Sequence, residues 1–292
     1  MKTIFVTGAK GQVGCELQSL AAQYPDFEFL FTDLPELNIT DEKALQQFLD
    51  GKTIDYCINC AAYTAVDKAE SDQEIARKVN VDGVQNLAKT CLLRNIPLIH
   101  FSTDYVYHNN QNTPFKEGDP TTPQGVYAQT KLEGDETALQ IHRNTLVLRT
   151  SWVYSSFGHN FVKTMLRLGN ERDELNVIFD QIGTPTYAHD LAKAVLDVLQ
   201  GIEQEEIDPV LLSGVYHYSN EGVTSWYDFA MAIFDIEGIS CKVNPIETKD
   251  YPTAAARPHF SVLNKTKFRT TFGIDIPHWR ESLKVCLEKL KA

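Results

Sequence analysis

The chain has 292 residues, 43% hydrophobic and 23% charged. That is enough for one large or two unequal globular domains whose core needs no metal or disulfide staple. Lys+Arg 27 against Asp+Glu 39 leaves a net charge of -12, which argues against nucleic acid or an anionic membrane as partner, since both select a basic face. It leaves room for a compact anionic ligand held by a few local cations. No apolar stretch approaches the roughly 20 residues that span a bilayer. The N-terminus reads as a strand running into a glycine turn, not as a signal peptide. Scattered cysteines at 15, 57, 60, 91, 241 and 286 suit free thiols in a reducing, cytoplasmic compartment.

In chain order, short apolar runs over Thr3–Thr7, Phe27–Thr32, Asp55–Cys60, Leu98–Ser102 and Thr145–Arg149 predict strands. Amphipathic stretches at 12–23, 41–50, 70–94 and 127–142 predict helices between them. Thr40 or Asp41 is placed to cap the second of these. This alternation predicts an α/β fold with a doubly wound parallel sheet. Cys57 and Cys60 form a C-x-x-C inside a predicted buried strand. A separation of three points them to opposite faces, which favours core packing over redox or metal chemistry. Past Trp152 the pattern loosens. Helices are expected near 157–170, 186–200, 225–236 and 280–291, with a strand at Gly214–Ser219. The expected organisation is a Rossmann domain over 1–152, extended by about 186–219, and a smaller mixed α/β substrate domain from 153–185 and 220–292.

Gly8-Ala9-Lys10-Gly11-Gln12-Val13-Gly14 follows the first strand and opens the first helix. Here Gly8 permits the turn, Gly11 lets backbone N–H groups approach a pyrophosphate, and Gly14 allows close helix–strand packing. Asp33, at the end of the second strand, has the position of a ribose-binding carboxylate. No Arg or Lys lies between Asp33 and Asp41, which tilts the balance towards NADH. Lys10 could still reach that region and serve NADPH.

Tyr127-Ala128-Gln129-Thr130-Lys131 puts a tyrosine and a lysine on one helix face, one turn apart. Thr103 ends the strand at the carboxyl edge of the same sheet, where ligands of such folds bind. The three suit a ketone reduction. Tyr127 would be the proton donor, Lys131 the ammonium that lowers the tyrosine's pKa, and Thr103 a hydrogen-bond donor to the developing alkoxide.

These residues resemble the extended short-chain dehydrogenases/reductases that act on nucleotide sugars. The resemblance runs along nearly the whole chain. It includes Gly11–Gly14, Asn59–Glu70, Ser102–Tyr107, Val126-Tyr127 with Thr130–Leu132, Arg149–Tyr154, Asn160-Phe161 with Lys163–Leu168, and Ala256–Pro258. It implies NADPH or NADH as cofactor and reduction of the 4-keto group of a dTDP-linked dehydrorhamnose, feeding cell-surface polysaccharide synthesis. It also implies Thr103, Tyr127 and Lys131 as catalytic residues. Gly8, Lys10, Gly11, Gln12, Val13, Gly14, Asp33, Ala61, Ala62 and Tyr63, with Tyr127 and Lys131, would bind the cofactor. Thr103, Asp104, Tyr105, Trp152 and Arg257 would face the sugar nucleotide, Trp152 as a flat apolar surface and Arg257 as a cation for the diphosphate. Some members hold Mg²⁺ at a homodimer interface through clustered carboxylates. Glu16 fits that pattern, but His189 stands where a second carboxylate is expected, so no metal is assigned. Two readings stay open beside the reductase: another nucleotide-sugar epimerase or reductase, and a non-catalytic regulatory subunit similar to that of methionine adenosyltransferase.

Overall fold

A computed structural model describes residues 1–291. Its centre is a sheet of six strands: β1 Lys2–Thr7, β2 Phe27–Phe31, β3 Tyr56–Asn59, β4 Leu98–Thr103, β5 Thr145–Thr150 and β6 Gly214–His217. They lie in the order β6-β5-β4-β3-β1-β2, and every pair is parallel. β4 and β5 are buried along all six residues, as strands of a sheet covered on both faces are.

Alternate side chains feed two cores. Ile4, Val6 and Ile58 pack with Leu17, Leu191, Val195 and Leu199 on one face. Phe5, Cys57 and Leu98 pack with Leu45, Leu87 and Ala138 on the other. Cys57 and Cys60 accordingly serve opposite faces, and all six cysteines are free thiols. Asp41 caps its helix by accepting a hydrogen bond from the Ala44 amide at 3.0 Å. β1 and β3 are neighbours although β2 intervenes in sequence, so the sheet reverses its winding between them. The loops leaving these two strands therefore flank a crevice at the carboxyl edge.

The single helix expected over 70–94 is instead Val66–Ala69, Gln73–Arg77 and Val84–Arg94, joined by a π turn at Lys78–Gly83. Asn80 in that turn is fully buried. Its side chain bonds both the amide and the carbonyl of Tyr63, and Thr130 Oγ1 as well. The Asn80 carbonyl also lies so close to Gly134 that a Cβ there would come within 2.1 Å. The wide turn thus ties the β3 loop to the helix Val126–Ile141.

A third core, built around Phe229, Tyr154, Val162, Trp279 and Leu283, is carried by helices Phe161–Glu171, Trp226–Glu237 and Trp279–Lys291. It includes a parallel pair, Glu174–Ile178 with Lys242–Ile246, which the sequence pattern did not reveal. Among the described residues no helix is long and apolar enough to cross a membrane.

Candidate active site

The glycine loop is shaped for backbone approach. Gly8 has φ +64°, and a Cβ on it would lie 2.5 Å from the Ala61 amide nitrogen. A Cβ on Gly14 would lie 2.5 Å from the Gly8 carbonyl oxygen. Both glycines therefore let the turn, the first helix and the β3 loop touch. Gly11 precedes the helix Gln12–Leu20 without any side-chain cap, so the first-turn N–H groups remain available to an anion.

Lys10, Gly11, Gln12 and Val13 line a cavity of about 550 Å³ together with Ala61, Ala62, Thr103, Tyr127 and Lys131. This donor set, a bare helix start in a cradle with no room for side chains, fits a dinucleotide pyrophosphate. Gly8 and Gly14 shape the wall from behind. Tyr63 does not line the cavity. Its amide is held by Asn80 and its hydroxyl donates to Asp72 at 3.0 Å.

Asp33 has a role that spacing did not reveal. Its Oδ2 accepts the Lys10 amide at 2.7 Å and its Oδ1 accepts the Leu34 amide at 2.7 Å. The carboxylate braces the glycine loop, and Lys10 Nζ sits beside it on the Leu34 carbonyl at 3.1 Å. Lys10, which the sequence placed within reach of this region, therefore stations a cation beside the carboxylate and offsets its repulsion of a 2′-phosphate.

Tyr127 is placed by the start of its helix. Glu70 Oε1 accepts the Val126 amide at 2.8 Å, and the preceding Gly125 has φ +80°. The Tyr127 ring meets Tyr105 edge-on, centroids 5.8 Å apart. Burial pushes the Tyr127 phenol up to about 12, and Thr103 opposes this in part. The Lys131 ammonium points beneath, donating to the Phe101 carbonyl at 2.7 Å with His100 Nε2 at 3.4 Å. Burial in turn draws Lys131 down to about 8 against the pull of Asp135.

Thr103 donates to Asp104 Oδ1 at 3.3 Å and accepts the Tyr105 amide at 3.2 Å. Asp104 is raised to about 7 by burial. Its Oδ2 has no partner, and neither has Thr150 Oγ1. Both residues line the cavity, so each offers a buried polar atom to a ligand.

Trp152 holds the uncommon φ of +45° and stacks on Trp226 with centroids 3.6 Å apart. Trp226 was not singled out by sequence, because no motif surrounds it and it read only as the start of a helix. It lines the cavity above and also a second one of about 970 Å³, which makes the two neighbours. The larger is lined by Phe161, Arg172, Asn176, Gln181, Tyr251 and Arg257, among others. Arg257 is present there, but paired with Asp67 in a two-pronged contact.

The residues around Glu16 do not fit a divalent cation. Glu16 is fully buried. Its Oε1 accepts the Ser155 hydroxyl at 2.6 Å, while Oε2 faces His189 Nδ1 at 3.2 Å and Lys289 Nζ at 2.8 Å. Burial works to raise this carboxyl, but its hydrogen bonds to His189, Lys289 and Ser155 hold it down at about 2. An ammonium fills the place of a metal. Among the described residues no group of three His, Cys, Asp or Glu could hold one.

The sequence matches the family described as RmlD substrate binding domain over residues 1–292. It is 41% identical over 291 residues to a dTDP-4-dehydrorhamnose reductase of Aggregatibacter actinomycetemcomitans, covering 97% of this chain and 98% of that one. The fold is similar to the crystal structure of a dTDP-4-dehydrorhamnose reductase from Clostridium acetobutylicum, at 39% identity and TM-score 0.92, covering 99% and 100% of the two chains. It is also similar to one from Bacillus anthracis in complex with NADP, at 33% identity and TM-score 0.91, covering 99% of each. With its crevice at the strand-order reversal and its glycine loop and Tyr127–Lys131 helix facing one cavity, the chain belongs to the dTDP-4-dehydrorhamnose reductase family.

Proposed function

We propose that this chain reduces the 4-keto group of dTDP-4-dehydro-L-rhamnose to give dTDP-L-rhamnose, with NADPH as the preferred reductant and NADH as the weaker one. The observation that carries the reading is the shared cavity. The bare helix start at Gly11–Val13 and the Thr103/Tyr127/Lys131 set line one space. Trp226 joins its wall to the larger cleft holding Arg257.

The dinucleotide, when bound, supplies the hydride that goes to sugar C4. Tyr127 gives its phenolic proton to the sugar O4 as charge develops there. Its raised pKa keeps that proton in place at neutral pH, so the group is an acid and not a base in this direction. Thr103 donates a hydrogen bond to the same oxygen. Lys131 places a buried positive charge under the reacting groups and favours the phenolate left behind. Asp104 and Thr150 each offer an unpartnered oxygen to ligand hydroxyl or amide groups. Arg257 would exchange Asp67 for the diphosphate, whose oxygens match its planar fork. In this reading the central sheet holds the dinucleotide, and 153–185 with 220–291 close over the sugar nucleotide.

The test is to incubate the purified chain with the keto sugar nucleotide and follow loss of NADPH absorbance. The reductase consumes NADPH in proportion to product. An epimerase recycles its cofactor and consumes none, and a regulatory subunit leaves both compounds unchanged.

A further inference from the structure

Beneath Lys131 lies a closed layer of charge that the reaction as written does not use. Asp135 is one turn further along the helix Val126–Ile141 and is 1% exposed. Its Oδ2 accepts the Ser102 hydroxyl at 2.7 Å and Arg149 Nε at 3.3 Å. Its Oδ1 has no hydrogen-bond partner, and His100 Nε2 stands 3.6 Å from it and 3.4 Å from Lys131 Nζ.

The state of His100 follows from its other neighbour. Asn59 Oδ1 already accepts Thr7 Oγ1 and the Ala61 amide, so the Asn59 amide nitrogen faces His100 Nδ1 at 3.0 Å. The imidazole therefore accepts there and carries its proton on Nε2, the tautomer being set by this network. Burial and the Lys131 charge keep it neutral. On the far side Arg149 donates to the Tyr107 hydroxyl at 2.7 Å, and that hydroxyl meets His217 Nε2 at 2.8 Å.

We propose that Asp135 is a positioning residue for the reduction: set by Arg149 and Ser102 and spaced by neutral His100, its carboxylate keeps the Lys131 ammonium charged where it lies beneath the catalytic cavity. The inference rests on the reductase reading.

The groups facing Lys131 are few. Its own helix contributes Tyr127 and Asp135, β4 contributes His100 and the Phe101 carbonyl, and β5 contributes Arg149 through Asp135. Asp135 is the one anion among those charged groups. A buried ammonium without a counter-charge gives up its proton readily. The charge on Lys131 is thus a balance, favoured by Asp135 and opposed by burial. Burial raises the Asp135 carboxyl, and the two cations draw it back.

The sign and its rescue give the test. Turnover requires charged Lys131, so kcat is full below its pKa and falls as pH rises through it. Asp135→Asn removes the anion and moves this fall to lower pH by at least one unit, about a tenfold loss of kcat above the new limb. Asp135→Glu keeps a carboxylate there and returns the fall towards its wild-type pH. A side chain that merely fills space would lower kcat at every pH and leave the limb in place.

In parallel, NMR of ¹³C-labelled lysine reads the Lys131 titration directly in holoenzyme, wild type against each variant. A downward shift in Asp135→Asn that Asp135→Glu largely reverses supports the proposal. An unmoved limb, or an equal shift in both variants, overturns it. Should Asp135→Asn not fold, the double variant Asp135→Asn/Arg149→Gln, which leaves no buried charge unpaired, takes its place, with the same downward shift expected. Should the wild type fail to reduce the keto sugar, the reductase reading falls, while the lysine titration still decides whether Asp135 governs Lys131.

Discussion

Arg257 grips Asp67 with both terminal nitrogens, Nη1 to Oδ1 at 2.9 Å and Nη2 to Oδ2 at 2.6 Å, across 190 residues of chain. Both residues line the larger cleft. Asp67 also accepts the Ala255 amide at 3.1 Å, so it fastens the segment that carries Arg257. The Arg257 guanidinium beside it, aided by that amide, holds the Asp67 carboxyl below its ordinary value. A ligand diphosphate has to compete with this carboxylate for the same fork of donors.

Arg257→Ala accordingly raises KM for the sugar nucleotide roughly ten- to a hundredfold, or about 1.4–2.8 kcal/mol, while kcat changes little. NADPH affinity, measured by fluorescence titration, stays at the wild-type value. An unchanged KM would remove Arg257 from the substrate side.

Tyr127→Phe deletes only the phenolic hydroxyl. Steady-state assays are expected to show kcat down by about 10²–10⁴-fold, with NADPH binding retained, because the ring still packs against Tyr105. Near wild-type turnover would exclude Tyr127 as the acid.

Lys10 Nζ is bonded to the Leu34 carbonyl next to Asp33, close to where the adenosine ribose would lie. Lys10→Ala lowers the ratio of kcat/KM for NADPH over NADH about tenfold, the cost of one charge-assisted hydrogen bond. A ratio that does not move would place the 2′-phosphate elsewhere.

Much of this was legible in the sequence, and the remainder was hidden for physical reasons. β3, β4 and β5 are buried along their whole length, and β1 and the edge strand β2 still carry apolar runs, so each announces itself in the sequence. The pair Glu174–Ile178 and Lys242–Ile246 does not. It has only one neighbour per strand, and Pro245 lies within it. The glycine spacing and the Tyr127–Lys131 step pointed to one crevice because chain geometry forces those positions together. Asp33 was singled out by its spacing, but its bond to the Lys10 amide depends on how the loop folds back. Asp135 was within reach, since it sits four residues past Lys131 on the same helix face. Trp226 carries no such signal. Only the fold brings it onto Trp152.

Glu16 and Lys289 form the internal ion pair that occupies the place of a metal. Lys289→Met leaves a buried carboxylate with His189 and Ser155 alone, at a cost of about 1–3 kcal/mol, read by urea unfolding near pH 7. Because the folded carboxyl is held at about 2, below its unfolded value, its contribution is full above pH about 4.5. It is lost as pH falls towards 2. Treatment with EDTA is expected to leave both activity and melting temperature unchanged, and a drop in either would show that a divalent cation is needed.

The most direct measurement follows NADPH absorbance and product together when the purified chain meets dTDP-4-dehydro-L-rhamnose. The account predicts one NADPH oxidised per dTDP-L-rhamnose formed, and loss of that turnover in Tyr127→Phe. Product formed without NADPH consumption, or no conversion by a wild type that binds NADPH, would contradict it.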